Sequence, residues 1–366
     1  MRQSEVEHAL RAVQAGDRLS RDQALALYTR ADLHELSQTA QAVRYRLHPR
    51  PVVTYVVDRN INYSNICVCA CRFCAFYRAP GREGGYVLSF PELEDKIQEA
   101  VDLGATQILL QGSHHPELDL GFYERMLSAL KDRFPGVHVH GFSPPEIMHF
   151  ASISGLSPAR ILDRLIAAGL ASIPGGGAEI LVDRVRREIA PRKCSAGEWL
   201  HVMGLAHEKG LLTTATMMFG HVESLEDRVD HLLALREQQD RSKGFTAFIP
   251  WTFQPDNTAL PARKATSIEY LRLLALARLV LDNIPNLQVS WVTMGAKIGQ
   301  LGLFFGANDF GSTMIEENVV AASGVSFRMS QEHMQEVIRE AGFEPRQRRM
   351  DYSEMCPQQA STLELS

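Results

Sequence analysis

The chain has 366 residues, 45% of them hydrophobic and 22% charged, and 38 Lys+Arg against 43 Asp+Glu give a net charge of −5. This composition is that of an ordinary globular protein, and it excludes a disordered polymer, a collagen-like chain and a basic nucleic-acid-binding protein. The most apolar window, residues 271–281, contains Arg272 and Arg278. Because a membrane span needs about 20 nearly uncharged residues, the window predicts a buried helix and no membrane span. The N-terminus lacks the apolar core of a signal peptide, so we expect a cytoplasmic protein.

The first fifty residues predict helices. Ser20 with Gln23 forms a capping-box pattern, in which each residue satisfies a backbone N–H of the other at a helix start. A further helical stretch covers about residues 32–47, and the sequence His-Pro-Arg-Pro at 48–51 ends it. We therefore expect an N-terminal helical extension over residues 1–50, placed against the bottom of the following domain.

Eight short β-branched or apolar runs then alternate with helical stretches. The runs begin near Val52, Ala105, Val137, Ala171, Thr213, Phe245, Leu287 and Asp309. This alternation predicts right-handed βαβ units, an α/β fold with a parallel sheet. Eight units favour a closed (β/α)8 TIM-type barrel over an open sheet. We assign the barrel to residues 51–345 and expect the polar residues 346–366 to form a C-terminal tail on the surface.

Four of the six cysteines lie in one short segment directly after the first predicted strand. They are Cys67, Cys69, Cys71 and Cys74, whereas Cys194 and Cys356 are isolated. Without a signal peptide, this distribution indicates metal or redox chemistry rather than a disulfide framework. The spacing C-x3-C-x2-C places three thiolates on one loop, and a [4Fe–4S] cluster normally takes four cysteines. A cluster held by three leaves one iron open for another ligand.

The alternative to a cluster is a structural zinc site. It would use Cys69, Cys71 and Cys74 together with a histidine. Zinc sites of this kind usually need a second cysteine or histidine pair at a fixed distance. Cys194 and Cys356 have no partner at such a spacing. The sequence therefore favours the cluster, with Cys69 as a buried thiol beside it.

The cysteine triplet, with the aromatic Phe73 before its last member, resembles the radical S-adenosylmethionine superfamily. In that superfamily the open iron binds the amino and carboxylate groups of S-adenosylmethionine, and one electron cleaves it to methionine and a 5′-deoxyadenosyl radical. The resemblance implies two cofactors, a [4Fe–4S] cluster with Cys67, Cys71 and Cys74 as ligands, and S-adenosylmethionine. It also implies a one-electron reductase, such as flavodoxin or ferredoxin, as a partner.

Longer segments resemble the subgroup that holds the futalosine-pathway enzymes of menaquinone biosynthesis and the deazaflavin-precursor synthases. The matching segments are residues 60–65, 73–78, 111–115, 143–146, 174–179, 220–223 and 309–318. Residues 217–223 and 290–293 are most similar to a cyclase of that pathway. The implied substrate is dehypoxanthine futalosine, a ribose joined to an aryl ketone that bears a benzoate. The enzyme abstracts the ribose C4′ hydrogen, and the carbon radical closes onto the ring.

Two alternatives to the cyclase stay open. The first, within the same chemistry, is an aminofutalosine synthase or a subunit of the deazaflavin-precursor (FO) synthase, either of which joins two substrates. The second, from another class, is a zinc-stabilised barrel that binds a small molecule without redox turnover. Product analysis separates the first alternative from the cyclase, and metal analysis tests the second.

The resemblance also implies roles for residues near the S-adenosylmethionine. Phe73 is expected beside the adenine; the alternative is a hydrophobic plug under the loop. Gln111, Gly112 and Ser113 match the segment for the methionine amino group, where small residues let a ligand approach the backbone. The family often has Gly-Gly where this chain has Gly112-Ser113, which weakens the assignment, and a tight turn without a ligand is the alternative.

Glu179 and Arg186 complete the predicted cofactor site. Glu179 follows three glycines and is expected to accept hydrogen bonds from the ribose hydroxyls or the amino group. Alternatively, it only places negative charge at a helix N-terminus. Arg186, or its neighbour Arg184, is expected to pair with the methionine carboxylate; a solvated helix face is the alternative.

The cyclisation ends with the loss of an electron and a proton, so the site needs a base whose pKa lies near the working pH. We name His115 and Asp309 as the candidates, because both fall near predicted C-terminal strand ends. For a single histidine, a structural hydrogen bond is the commoner explanation. The sequence does not identify the partner of the substrate carboxylate.

Overall fold

The structure is a computed structural model that describes residues 2–355, so that Cys356 lies outside the described residues. Its strands are β1 (Val52–Val56), β2 (Asp58–Asn62), β3 (Gln107–Gln111), β4 (His138–Gly141), β5 (Ser172–Ile173), β6 (Leu212–Phe219), β7 (Phe245–Thr252), β8 (Asn286–Leu287), β9 (Asp309–Ser312) and β10 (Glu344–Gln347). The first helices are α1 (Arg2–Ala15), α2 (Arg21–Arg30), α3 (Leu33–Leu47), α4 (Phe90–Asp102), α5 (Leu120–Arg133), α6 (Pro144–Ser154) and α7 (Pro158–Ala168). They are followed by α8 (Asp183–Ile189), α9 (Ala196–Glu208), α10 (Leu225–Ser242), α11 (Ser267–Val280), α12 (Trp291–Met294), α13 (Ala296–Gly302) and α14 (Gln331–Glu340).

The strands close into a parallel barrel. Strands β2 to β8 pair in chain order, and β1, which runs into β2, pairs with β9. A parallel bridge between Gln288 and Asp309 joins the end of β8 to β9 and completes the ring. Each of the eight predicted strand runs corresponds to one position in this ring, with β1 and β2 sharing the first. The prediction of a (β/α)8 barrel is confirmed.

The prediction of a surface tail is wrong for residues 346–350. Strand β10 pairs in parallel with β1, from Val52 opposite Glu344 to Tyr55 opposite Gln347. Pairing between β2 and β3 starts only at Asp58, so β1 would otherwise have an open edge on that side. Strand β10 covers this edge and carries Arg348 into the protein interior, where it is 4% exposed. The C-terminal segment thus helps to form the bottom of the barrel.

The N-terminal extension is helical, as predicted, and the capping box of Ser20 and Gln23 is formed. It does not cover the bottom of the barrel, because α2 packs on α10 and α11, and α3 packs on α11. The end of α3 reaches the lower rim, where Arg44 donates to the carbonyls of Val52 and Ala307. The apolar window 271–281 lies in the buried helix α11, and none of the described helices is long and apolar enough to cross a membrane.

Candidate active site

The four clustered cysteines lie on the loop that follows β2, at the C-terminal end of the barrel strands. Backbone hydrogen bonds hold this loop against its neighbours. The N–H of Val68 donates to the carbonyl of His114 (3.1 Å), and the N–H of Arg72 donates to that of Ile189 at the end of α8 (2.9 Å). The active sites of (β/α)8 enzymes lie at this end of the strands. The loop therefore places its thiols at the mouth of the barrel.

The thiols differ in how easily they ionise. Hydrogen bonding with Cys69 lowers the pKa of Cys67 to about 6 and also lowers the pKa of Cys71, and the ammonium of Lys193 acts in the same direction. Burial raises the pKa of Cys74. Thiolates are the form that binds soft metals, so the donor set suits iron. Cys69 itself is buried, with its Sγ 3.0 Å from Nδ1 of His114.

A single-ion zinc site is not formed in the part of the chain that the structure describes. No three His, Cys, Asp or Glu side chains within residues 2–355 converge on one ion position. The zinc interpretation of Cys69, Cys71 and Cys74 therefore gains no support from the geometry.

Lys193 lies beside the cysteine loop and is not among the residues predicted from the sequence. Its Nζ donates to Oε1 of Glu179 (2.9 Å) and lies 5.2 Å from the ring centroid of Phe73. Burial opposes the ammonium charge, but Glu179 and the thiol of Cys71 outweigh it and raise the pKa of Lys193. A half-buried cation, paired with the buried Glu179, thus lies beside the cysteine loop. No motif or spacing in the sequence signals it, since it lies in the loop between α8 and α9.

Glu179 is placed to bind a ligand. Its backbone has a φ of +42°, and Oε2 is buried without a hydrogen-bond partner, whereas Oε1 is paired with Lys193. Helix α8 starts only at Asp183, so Glu179 does not lie at the helix N-terminus. Buried polar atoms normally have partners, so this carboxylate oxygen keeps an unused hydrogen-bond acceptor.

Arg186 does not point to a ligand, contrary to the prediction. Its guanidinium donates to the carbonyls of Gly177 (3.1 Å), Ala178 and Cys194 (2.7 Å). These bonds hold the glycine turn after β5 against the loop before α9. Arg184 forms an ion pair with Asp227 instead. Arg186 is therefore a positioning residue for the turn that carries Glu179.

In the segment from Gln111 to Ser113, Gly112 has a packing role, whereas Gln111 and Ser113 carry polar groups near the ligand site. The N–H of Gly112 donates to Oε1 of Glu146 (3.1 Å), which also accepts from the hydroxyl of Tyr63 (2.7 Å). A Cβ at Gly112 would lie 2.2 Å from the Tyr63 ring, so packing alone requires glycine there. Gln111 lines the central cavity, and Oγ of Ser113 is buried without a partner. Of the three, Gln111 and Ser113 keep groups that can bind a ligand.

Neither predicted base reaches the cavity. Nδ1 of His115 accepts the N–H of Glu117 (3.1 Å) within its own turn. Asp309 is the first residue of β9, and so lies at the bottom of the barrel rather than at a C-terminal strand end. Its carboxylate accepts from Nε of Arg348 (2.6 Å) and the hydroxyl of Thr54 (2.5 Å). Both side chains have structural partners.

A cavity of about 260 Å³ runs inside the barrel, from the glycines 175–177 at the mouth to Arg348 at the bottom. Its walls carry two tryptophans, three carboxyl groups and one imidazole. They are Trp251, Trp291, Asp58, Glu179, Glu317 and His140. A smaller apolar slot of about 40 Å³ adjoins the cysteine loop, between Phe73, Met218 and Phe253. The sequence-based prediction did not include three further residues that line the cavity, namely Asp58, Gln107 and His140. The alternation of inward-facing residues along β2, β3 and β4 is the signal that could have found them.

The sequence matches two family models. Residues 61–235 match the radical SAM superfamily, and residues 242–360 match the CofH/MqnC C-terminal region. Cyclic dehypoxanthine futalosine synthase of Halalkalibacterium halodurans is 46% identical over 92% of this chain and 91% of its own length. The enzyme of the same name from Streptomyces coelicolor is 44% identical over 93% and 86%. Aminodeoxyfutalosine synthase of Thermus thermophilus is 42% identical over 85% of both chains.

Solved structures share the fold. Methylornithine synthase (PylB) superposes with a TM-score of 0.73 at 17% identity and covers 92% of this chain and 97% of its own. The hydrogenase maturase HydG from Carboxydothermus hydrogenoformans superposes with a TM-score of 0.72 at 17% identity, covering 96% and 81%. At this identity the likeness describes the fold alone.

Proposed function

The chain belongs to the radical S-adenosylmethionine superfamily, and from this premise we propose that it cyclises dehypoxanthine futalosine in menaquinone biosynthesis. The observation that carries the proposal is the 46% and 44% identity to two cyclic dehypoxanthine futalosine synthases over about nine-tenths of the chain. The 4-hydroxyphenyl transferase of Methanopyrus kandleri and the aminodeoxyfutalosine synthase of Thermus thermophilus are also similar, at 40% and 42%. The cyclase is thus favoured over the two-substrate alternatives.

Members of this superfamily use a [4Fe–4S] cluster and S-adenosylmethionine, which together supply a 5′-deoxyadenosyl radical when bound. In our proposal Cys67, Cys71 and Cys74 hold the cluster through their thiolates. The lowered pKa values of Cys67 and Cys71 support this assignment. Cys69 is buried, and its Sγ is paired with Nδ1 of His114.

The residues around the cysteine loop offer complementary groups for S-adenosylmethionine. Lys193 supplies a cation for the methionine carboxylate, the role that the sequence analysis gave to Arg186. The unpartnered Oε2 of Glu179 accepts from a ribose hydroxyl or the ammonium group. Ser113 offers its buried Oγ, and Phe73 borders the apolar slot, which suits a flat heterocycle.

The barrel interior isolates the reaction. A carbon radical abstracts hydrogen from most molecules it meets, so a productive site excludes water and fixes the target hydrogen. The cavity inside the barrel, with Trp251 and Trp291 in its walls, provides such a space. Glu317 and His140 line it and are side chains available to accept the proton released on cyclisation.

An external one-electron donor is part of the proposal. Arg72, within the cysteine loop, and Arg192, whose Nη1 donates to the carbonyl of Val68 in that loop (3.0 Å), are both exposed. Exposed arginines beside a redox centre favour an acidic carrier, such as flavodoxin or ferredoxin, since opposite charges speed encounter. Raising the ionic strength should then slow the reaction driven by such a carrier more than the reaction driven by dithionite.

Product analysis tests the proposed function. The reconstituted, reduced protein is incubated anaerobically with S-adenosylmethionine and dehypoxanthine futalosine that carries deuterium at C4′. We expect a product whose mass is lower than that of the unlabelled substrate by two hydrogens. The deuterium should appear in 5′-deoxyadenosine. Parallel reactions with L-tyrosine and 5-amino-6-(D-ribitylamino)uracil control for the transferase activity. Turnover only in those reactions would refute the proposal.

A further inference from the structure

The bottom of the cavity is formed by residues that the proposed chemistry at the mouth does not use. Arg348 is the only lysine or arginine within residues 2–355 that lines the cavity. It directly follows β10, and its N–H donates to the carbonyl of Tyr55 (2.9 Å), which fixes it beneath β1. The guanidinium lies 3.9 Å from the ring centroid of Tyr352, which also lines the cavity.

The guanidinium of Arg348 retains unused hydrogen-bonding capacity. Nε and Nη2 donate to the two carboxylate oxygens of Asp309 (2.6 and 3.0 Å), and Nη1 donates to the carbonyl of Arg349 (3.2 Å). An arginine carries five N–H groups. Two of them therefore have no acceptor among the described residues, and they belong to a side chain that borders the cavity.

The charges around Arg348 are unbalanced. Arg44 and Arg278 lie at the same end of the barrel, 0% and 1% exposed. Arg44 donates only to backbone carbonyls, and Arg278 donates to two carbonyls and the amide oxygen of Asn308. Asp309 is paired with Arg348, and burial raises the pKa of Asp58. Burial also lowers the pKa of Arg44 and lowers that of Arg278 to about 9, which still leaves Arg278 charged at neutral pH. The deep end of the cavity thus favours an anion.

We infer that Arg348 binds the carboxylate of the aryl-carboxylate substrate at the bottom of the barrel and thereby sets its orientation. The inference rests on the proposed function, because dehypoxanthine futalosine carries a benzoate at one end and a ribose at the other. With the benzoate on Arg348, the ribose extends toward the cysteine loop, where hydrogen abstraction takes place. Arginine suits this role, since its planar N–H groups match a carboxylate.

Binding of small probes tests the inference without turnover. Benzoate and benzamide have the same shape but differ in charge, and Trp251 and Trp291 report their binding by fluorescence. We expect benzoate to bind the protein at least tenfold more tightly than benzamide. The double variant Arg348→Gln/Asp309→Asn removes both members of the ion pair, avoids an unpaired buried charge, and should abolish this preference. Asp309→Asn alone frees the guanidinium and should strengthen benzoate binding several-fold.

Two further variants keep the result interpretable. Arg349→Gln makes the same substitution at the neighbouring exposed position and should leave the preference unchanged. Arg348→Lys keeps the charge but loses the planar geometry, and it should retain only part of the preference for benzoate. This variant replaces the double variant in the test if the double variant does not fold. A benzoate preference that survives in the double variant or is unaltered in Arg348→Lys overturns the inference.

Substrate analogues separate this inference from the proposed function. The wild-type protein should convert dehypoxanthine futalosine at least tenfold more efficiently than its methyl ester, and the double variant should not distinguish them. If the wild-type protein cyclises the substrate but the discrimination is independent of residue 348, the inference fails and the function stands. If benzoate preference depends on Arg348 but no cyclisation occurs, the function fails instead.

Discussion

The two ends of the barrel are assembled in different ways. At the mouth, the thiols of residues 67–74 share one loop, so their chemistry is visible in a short stretch of sequence. At the bottom, Asp309 meets Thr54 across a sequence separation of 255 residues, and Asp58 meets Ser312 across 254. A motif marks the first site, whereas the second exists only because the barrel closes. The following changes test this contrast, from the largest expected effect to the smallest.

Cys71→Ala should abolish both the visible absorbance of the reconstituted protein and its product formation. The reason is that two thiolates cannot hold a cluster that normally needs at least three protein ligands here. Absorbance spectra and iron analysis after anaerobic reconstitution measure the effect. Cys194→Ala is the matched control, because the variant keeps the backbone carbonyl of Cys194, which accepts two hydrogen bonds from Arg186. A brown, active Cys71→Ala protein would contradict the assignment.

Lys193→Met should reduce the formation of 5′-deoxyadenosine at least tenfold and destabilise the protein. Breaking a buried ion pair by removing one partner costs about 3–5 kcal/mol, since the other charge stays buried. Urea unfolding and nucleoside analysis measure the two effects separately. In Lys193→Met/Glu179→Gln the stability should largely return, whereas the cleavage activity should not. Recovery of both would show that Lys193 has only a structural role.

Gly112→Ala should destabilise the mouth through packing rather than through ligand binding. The new Cβ would lie 2.2 Å from the Tyr63 ring, and overpacking of this kind costs about 1–3 kcal/mol. Thermal unfolding of the protein without cofactors should already show the loss. Gly136→Ala has open space around its Cβ and should be neutral. An equal effect of the two substitutions would refute the packing argument.

His140 should make the bottom of the barrel sensitive to acid. Burial, followed by the nearby His138 and Arg348, holds the pKa of His140 well below its ordinary value. The unfolded chain therefore binds a proton below about pH 6.5 that the folded protein does not, and stability falls by up to about 1.4 kcal/mol per pH unit. In His140→Gln, urea midpoints between pH 7 and 5 should fall less steeply.

Much of the fold was predictable from local patterns. Each β-branched run became a barrel strand, and the capping box of Ser20 and Gln23 marked a helix start, because both signals act within a few residues. The position of β10 was not predictable. Its sequence Glu-Pro-Arg-Gln is polar and does not predict a strand. It forms one because β1 has an edge that does not pair with β3, and β10 pairs with that edge.

The predictions of site residues also succeeded where the signal is local and failed where the partners come from distant elements. The cysteine loop and Glu179 lie where the sequence placed them, at the mouth. Arg186 and Asp309 failed because their partners, the carbonyls of the glycine turn and Arg348, come from other elements. Lys193 was missed for the same reason, since its role depends on Glu179, 14 residues away and across a helix. Spacing shows which residues are available, but not which are already paired.

The sequence by itself determined the barrel order and the thiol chemistry at its mouth. Both follow from short-range causes, namely hydrophobic periodicity, helix capping and the spacing of side chains on one loop. Only the tertiary structure decided which charged groups remain available. Burial makes an unpaired charge costly, so the fold commits Arg186 and Asp309 to partners and leaves an oxygen of Glu179 and two N–H groups of Arg348 to meet a ligand.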